Sequence, residues 1–400
     1  MEEWIKCPLG DILNFRRGHD LPKTSMVPGD IPVAGSNGII GFHNVSTPIS
    51  PCITIGRSGN VGTPYIYDIC WAHNTVLYID DYKGNDPKYL YYLLKTLPLA
   101  SFGGGSAVPT LNRNHIHPME VIFCKDTELQ KKIAGILSKI DDKIELNRQI
   151  NDNLEQQAQA LYKSWFVDFE PFKEGNFVES ELGLIPEGWN VGTYEQIIQS
   201  TISGDWGKDA ATGNYTHKVA CVRGCDFQDM KAGVRGKTPE RYILEKNYQA
   251  KKLEHNDILV EISGGTSTIS TGRVCIANSD LLDKYNHDIV CTNFCKVIRP
   301  VNSYAGYLYY SWIFKYDSKV MFGYENGTSG IKNFQLSDFI SKEPVIVPPI
   351  SCVNEFQKLI DNLLKSIQIN GSEIMELELL RDTLLPRLMS GELKINEIDC

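Results

Sequence analysis

Two stretches of the chain carry apolar or small residues on a 4-3 spacing that lasts long enough to specify a long helix. The first places Ile133, Leu137, Ile140 and Ile144 on one stripe, then Leu154, Ala158, Leu161 and Trp165, with Asn147 and Asn151 on the same spacing. The second runs Ile360, Leu364, Ile367, Ile374, Leu377, Leu384 and Leu388, with Arg381 on the stripe and Gly371 near its middle. Pro171 should close the first helix, and Pro386, which lacks a backbone N–H, should kink or end the second. A helix with one apolar stripe and charged remaining faces is not stable alone, so the simplest arrangement pairs the two stripes with each other.

Ahead of each helix the pattern changes to β-branched runs separated by glycine-rich turns. Cys52–Gly56 and Thr75–Ile79 read as strands in one half, Asp257–Glu261 and Lys296–Ile298 in the other. A Tyr/Leu-rich helical stretch follows in both, Pro87–Leu94 against Ala305–Tyr310, then a glycine turn, Gly103–Ser106 against Gly327–Gly330, and a strand, Val121–Phe123 against Val345–Val347. The chain is therefore one plan written twice. Glu3–Leu13 matches Gly188–Ile198 at an offset of 185, and Gln130–Ile133 matches Gln357–Ile360 at an offset of 227, so the second copy holds 42 more residues in its globular part. The expected fold class is α+β: two mixed, β-rich domains joined by two long antiparallel coiled-coil helices, with pseudo-twofold internal symmetry. The boundaries fall at 1–125, 126–178, 179–350 and 351–400.

Of 400 residues, 42% are hydrophobic and 22% charged, enough for two or three cores. No uncharged apolar run approaches the ~18 residues a membrane span needs, and the acidic start lacks a signal-peptide core, which points to the cytoplasm. The eleven cysteines are scattered. Cys221/Cys225 and Cys291/Cys295 repeat a CxxxC spacing, but no CxxC or HxxxH partner accompanies them, so no metal is assigned. The net charge of −9 argues against a polyanionic partner until its distribution is considered. Six of the nine excess negative charges lie in 125–174 and 352–400, leaving the rest near balance.

The chain resembles the specificity subunit of type I restriction-modification systems along nearly its whole length. The likeness is carried by Ile31–Asn44, Thr54–Gly62, Leu182–Trp189, the helix phrase Gln130–Asp141 and the closing Leu384–Glu392, in that doubled order. The resemblance implies a non-catalytic subunit with two target-recognition domains, each reading one half of a split asymmetric site on double-stranded DNA. It also implies docking of two methyltransferase subunits, with restriction subunits joining the full complex. S-adenosylmethionine, ATP and Mg would be held by those partners, and no cofactor by this chain. The span from Ile133 to Phe166 is on the order of 50 Å at ~1.5 Å per residue, more than one ~34 Å turn of B-DNA.

Base reading needs Arg, Lys, Asn or Gln side chains on loops held to the duplex by phosphate contacts. In the first domain the candidates are Arg16, Arg17, Lys23, Asn37, Arg57, Ser58, Asn60, Asn112, Arg113 and Asn114. In the second they are Lys231, Arg235, Lys237, Arg241, Lys246, Lys251 and Lys252, interleaved with Tyr242 and Tyr248, together with Lys332 and Asn333. At the glycine loop the second copy has Glu261–Gly265 where the first has Ile55–Gly59, so an arginine there is not shared. A stripe of Leu129, Ile136 and Ile150 beside the seam is the candidate partner surface. Enzymatic alternatives lack their motifs. The only adjacent prolines, Pro348 and Pro349, lack the flanks of an amino-methyltransferase loop, and Gly236-Lys237-Thr238 is preceded by Lys231 where a phosphate loop needs glycine. Glu392-Leu393-Lys394 lacks a preceding Pro-Asp strand.

Overall fold

The computed structural model describes residues 4–104, 109–266, 268–301, 303–327 and 331–395. The chain forms two compact units, Met1–Lys143 with Glu376–Cys400, and Ile144–Met375. Each contains one globular part and a length of both long helices, Thr127–Phe166 (helix one) and Ile350–Met389 (helix two).

In the first unit a four-stranded antiparallel sheet has the order Asn14–Arg17, Val76–Asp81, Cys52–Gly56, Pro64–Tyr67. The central strand Cys52–Gly56 is buried at every position, as its unbroken run of small and β-branched residues requires. A second sheet orders Gly38–His43, Ile31–Gly35 and Trp71–Ala72, the last two strands parallel. Helix Pro87–Thr96 starts on an Asp86 side chain that accepts the Tyr89 N–H at 2.8 Å, with proline at its first turn. Its buried Tyr89, Leu90 and Leu93 share a core with Ile133, Ala134 and Leu137 of helix one and Leu385, Leu388 and Met389 of helix two. Arg381 donates to Asp141 at 2.8 Å, and Tyr92 Oη to the same carboxylate at 2.7 Å. Burial alone would pull the Arg381 guanidinium down, yet Asp141 and Asp382 hold it above its ordinary range. The helices are antiparallel here, since Asp141 meets Arg381 while the earlier Ile133 and Leu137 share a core with the later Leu385 and Met389.

The second unit repeats both sheets in the same order. Ile198–Ser203, Cys295–Pro300, Asp257–Glu261 and Val274–Ala277 make the four-stranded sheet, and Glu240–Leu244, Tyr215–Val222 and Ile289–Cys291 the three-stranded one. Helix Ala305–Asp317 packs on Tyr162 and Phe166 of helix one and Phe356 of helix two, with Phe166 4.8 Å from the Tyr307 ring and 4.9 Å from Phe356. The additional residues of this copy include three short helices, Phe227–Lys231, Glu245–Lys251 and Ser279–Leu282.

Part of this extra material braces the helices. Gly233 and Gly371 lie so close that a Cβ on Gly371 would fall 2.1 Å from the Gly233 carbonyl oxygen. Asn151 Nδ2 donates to Ala232 O at 3.0 Å and Ile367 O at 3.2 Å, while Asn370 donates to Asn151 Oδ1 at 2.9 Å. Asn147 donates to Glu373 at 2.8 Å, so the two seam asparagines face polar partners on helix two, again in antiparallel sense. Lys284 Nζ donates to both Gly233 O and Gln368 O at 2.6 Å, and burial lowers its pKa to about 8.

Three expectations change. Helix two does not end at Pro386 but continues to Met389, because Leu385, Leu388 and Met389 are buried and hold its last turn. Helix one ends at Phe166, before Pro171, where Phe169 takes a left-handed conformation (φ 53°). The buried stripe of helix one also drifts from the even 4-3 spacing. Ile133, Leu137 and Ile144 are buried and Ile140 is half-buried, but further on Ala158, Tyr162 and Phe166 are buried, while Leu154 and Leu161 are only half-buried. A straight 3.6-residue helix drifts this way when its later turns pack on a domain core and are not bound to a 3.5-residue seam. On helix two Ile360, Leu364, Ile367 and Ile374 are buried, and Leu377 and Leu384 half-buried. Among the described residues no helix is long and apolar enough to cross a membrane.

Two glycines on the helices should respond oppositely to alanine. Gly371→Ala must displace a backbone carbonyl and should cost about 1–3 kcal/mol in denaturant melts. Gly135→Ala meets nothing within 4 Å and should stabilise by about 0.5–1 kcal/mol. Lys284 supplies a pH test. Its folded pKa lies below the unfolded value of 10.5, so from pH 8 to 10.5 the unfolded chain binds more protons and stability rises with pH. Lys284→Met should lose that rise in melts across the window.

Candidate nucleic-acid interface

The loops at one end of each four-stranded sheet are held by the same main-chain hydrogen bonds. In the first unit Gly62 N donates to Gly56 O (2.8 Å), Arg57 N to Thr75 O (2.8 Å), Leu111 N to Arg57 O (2.7 Å) and His73 N to Ala34 O (3.0 Å). In the second, Gly272 N donates to Glu261 O, Ile262 N to Phe294 O, Phe334 N to Ile262 O and Thr292 N to Val222 O, each at 2.9 Å. His19 N to Ala72 O (2.8 Å) has its counterpart in Asp205 N to Cys291 O (2.7 Å). Buried amides must be paired, so this network fixes the loop backbones while leaving their side chains free to differ.

The network also corrects the alignment of the glycine loop by one residue: Arg57 corresponds to Ile262, and Glu261 takes the place of Gly56. A Cβ on Gly56 would sit 1.7 Å from Asn60 O, so the short first loop admits only glycine. The longer second loop leaves room for the Glu261 side chain, which receives Arg273 at 2.8 and 2.6 Å.

The first rim gathers most of the first-domain candidates named from sequence. Arg16 and Arg17 end the edge strand and are exposed. Arg57 donates to Asn74 O at 3.4 Å, and its pKa is lowered by burial and then by the like charge of Arg17. Ser58 bridges to Thr110, and Arg113 reaches Phe15 O at 3.1 Å. Asn112 caps the short turn by accepting the Asn114 N–H at 3.0 Å. Asn60 accepts the Thr63 hydroxyl at 3.1 Å, and Asn37, exposed, adjoins Ser36, whose Oγ lies 3.6 Å from a Cβ built on Gly59. Asp20 tempers the charge, receiving Asn74 and lying 3.7 Å from Arg17. Lys23 is exposed on a short 3-10 turn, and no contact joins it to the rim.

The cations of 231–252 do not form one open patch. Arg241 is 6% exposed, paired with Asp209 and stacked 4.1 Å from the Trp206 ring. Lys251 donates to Gly204 O at 3.0 Å, and Lys231 lies over the Tyr309 ring at 5.9 Å in a pocket with Gln159 and Arg273. Arg235 is half-buried, Lys252 lies 5.6 Å from the Tyr248 ring, and only Lys237 and Lys246 are fully in solvent. Tyr242 is half-buried, and Tyr248 stacks on His217 at 3.5 Å. Lys332 is paired with Glu325 at 2.7 Å, and Asn333 accepts the Ser263 hydroxyl at 2.9 Å. The glycine turns fall partly outside the described residues, at 105–108 and 328–330.

Sequence reasoning missed the second rim itself. Trp206, Arg223, Glu261, Ser263, Thr292, Asn293 and Phe294 line one pocket there. Their counterparts by the shared network are Asp20, Gly35, Gly56, Ser58, His73, Asn74 and Thr75. Carrying the offset strand by strand, and not as one number, would have found them. Cys221, Cys291 and Cys295 are buried beneath this rim, and among the described residues no group of three or more His, Cys, Asp or Glu could hold a metal.

Comparison with known proteins places these features in context. Residues 1–156 match the model of the type I restriction modification DNA specificity domain. The chain is 30% identical over 322 residues to the type I restriction enzyme MjaIX specificity subunit of Methanocaldococcus jannaschii, covering 78% of this chain and 70% of that one. It is 26% identical to the HindI specificity subunit of Haemophilus influenzae, covering 67% and 68%. A crystal structure of the type I restriction-modification S subunit from M. genitalium covers 96% of both chains with a TM-score of 0.55 at 17% identity, which establishes likeness of fold.

Stability separates the cations already engaged from those left in solvent. Arg241→Ala should cost about 1–3 kcal/mol in thermal melts by removing a buried side chain that stacks on Trp206 and donates to Trp206 O. Arg16→Ala, Lys237→Ala and Lys246→Ala should each stay within about 0.5 kcal/mol of the parent.

Proposed function

Since the chain belongs to the specificity subunits of type I restriction-modification systems, we propose that its two globular parts, 1–125 and 179–350, each read one half of a bipartite asymmetric DNA site. The observation that carries this reading is the doubled rim, in which one hydrogen-bonded backbone presents two different sets of side chains. The first presents clustered guanidinium groups, whose mutual repulsion a polyanion would relieve. Such an arrangement suits a molecule that must hold the same kind of duplex twice while distinguishing two sequences.

In this reading the chain performs no catalysis. Two methyltransferase subunits dock on the helices and restriction subunits join through them, with S-adenosylmethionine, ATP and Mg held by those partners. The candidate docking surface shifts with the structure. Leu129 and Ile136 are half-buried, whereas Leu146 and Ile150 on helix one and Leu359 and Ile369 on helix two are exposed. The helices set the spacing between the half-sites.

The spacing role is testable by inserting one heptad into each helix, after Glu145 and after Glu373, which preserves the facing stripes. Seven residues add about 10 Å at 1.5 Å per residue, or about three base-pair steps. Mapping methylated sites in host DNA should show the same two half-sites with a gap wider by three base pairs. An unchanged gap in an active complex would contradict the role.

A further inference from the structure

Phe294 is 64% exposed, and no large apolar side chain among the described residues of the second unit is more so. It does not sit on a loose loop. Its turn is fixed by Thr292 N to Val222 O (2.9 Å), Cys295 N to Thr292 O (3.0 Å) and Ile262 N to Phe294 O (2.9 Å), between the buried Cys291 and Cys295. Phe294 N also donates to Thr292 Oγ1 at 3.3 Å. The fold therefore holds an aromatic ring in water on a rigid support and forgoes the burial such a ring ordinarily gains.

Phe294 shares a pocket of about 490 Å³ with Trp206, which is 37% exposed and whose ring stacks under the Arg241 guanidinium. The charged groups of the pocket are largely spent within the domain. Arg223 gives Nε and Nη2 to Asp226 at 3.0 and 2.8 Å, and both Glu261 oxygens receive Arg273. Ser263 donates to Asn333. What remains presented is two aromatic rings beside the exposed Asn293 and Cys225. At the corresponding places the first rim has Thr75, Asp20 and Asn74, with Arg57 and Arg17 alongside. The second rim thus offers apolar surface where the first offers guanidinium.

The Phe294 ring, a pure hydrocarbon, can neither accept from nor donate to the polar edges of a base pair, and Trp206 adds apolar ring surface beside it with a single N–H donor. The one apolar group displayed in the major groove is the 5-methyl of thymine. We propose that Phe294 and Trp206 are specificity-determining residues of the second reader and recognise thymine through its methyl group. The inference rests on the half-site reading above. Deleting the methyl, by replacing thymine with uracil, leaves every hydrogen-bonding group of the base pair in place and removes only this contact.

The test uses the full chain assembled with its methyltransferase, on duplexes whose two half-sites are taken from methylation mapping, with thymines changed to uracil one at a time. In one half at least one change should weaken binding about fourfold, the worth of one buried methyl-sized group. Changes in the other half should have no effect. Phe294→Ala should weaken specific binding, keep the salt dependence of non-specific binding and bind thymine and uracil alike at that position. Phe294→Leu should retain part of the preference. Equal affinity for uracil and thymine at every position overturns the inference, even if Phe294→Ala weakens binding; that outcome would indicate a ring wedged between base steps. A Phe294→Ala complex that keeps the fourfold preference overturns it as well. Absence of any sequence preference in the parent complex would instead overturn the half-site reading itself.

Discussion

Everything distinctive about this protein depends on a main-chain constraint: the loop backbones at the end of each four-stranded sheet are pinned by hydrogen bonds between main-chain amides and carbonyls. Because the pins are backbone groups, they survive wide changes in side chain. Gly56 and Glu261 occupy the same pinned place, as do Arg57 and Ile262, and Thr75 and Phe294. A scaffold of this kind separates holding from choosing. The strands and their hydrogen bonds set where a side chain emerges, and the identity of the side chain sets what it can touch.

The long helices follow a related logic. Their shared surfaces are mostly apolar, but in the second unit they include Asn147, Asn151, Asn370 and Glu373, and in the first Asp141 with Arg381. Buried polar pairs of this sort add less stability than apolar packing would, and they penalise any register that leaves one partner unmatched. The close approach of Gly371 to Gly233 acts in the same direction, because a shift of one residue would bring a side chain against a carbonyl. These contacts hold the two helices in one register, as the proposed spacing role requires.

Much of the architecture was legible in the sequence because periodicity reports burial. The central strands Cys52–Gly56 and Asp257–Glu261 and both helices came from apolar spacing, and the doubled plan from matching phrases at two offsets. What escaped was decided by tertiary contact. Pro386 sits inside a helix because buried Leu385, Leu388 and Met389 outweigh one missing hydrogen bond. The lysines and arginines of 231–252 looked like one patch because charge counts cannot reveal that Arg241 turns inward to Asp209 and Trp206. Phe294 drew no attention, since a lone aromatic in a strand-rich stretch ordinarily belongs to a core. The first rim was the easier to read, because its residues are short-range neighbours of recognisable glycine turns. The second is assembled across an enlarged copy whose offset changes from strand to strand.

In the proposed function two equivalent rims address two different half-sites. Ser58 and Ser263 hold matching positions, one bridging to Thr110 and the other bonded to Asn333. Placing a photo-reactive side chain at each position in turn and cross-linking the assembled complex to its site measures this directly. Position 58 should mark bases of one half only and position 263 those of the other. Cross-links from both positions to the same half, or from neither to DNA, would contradict it.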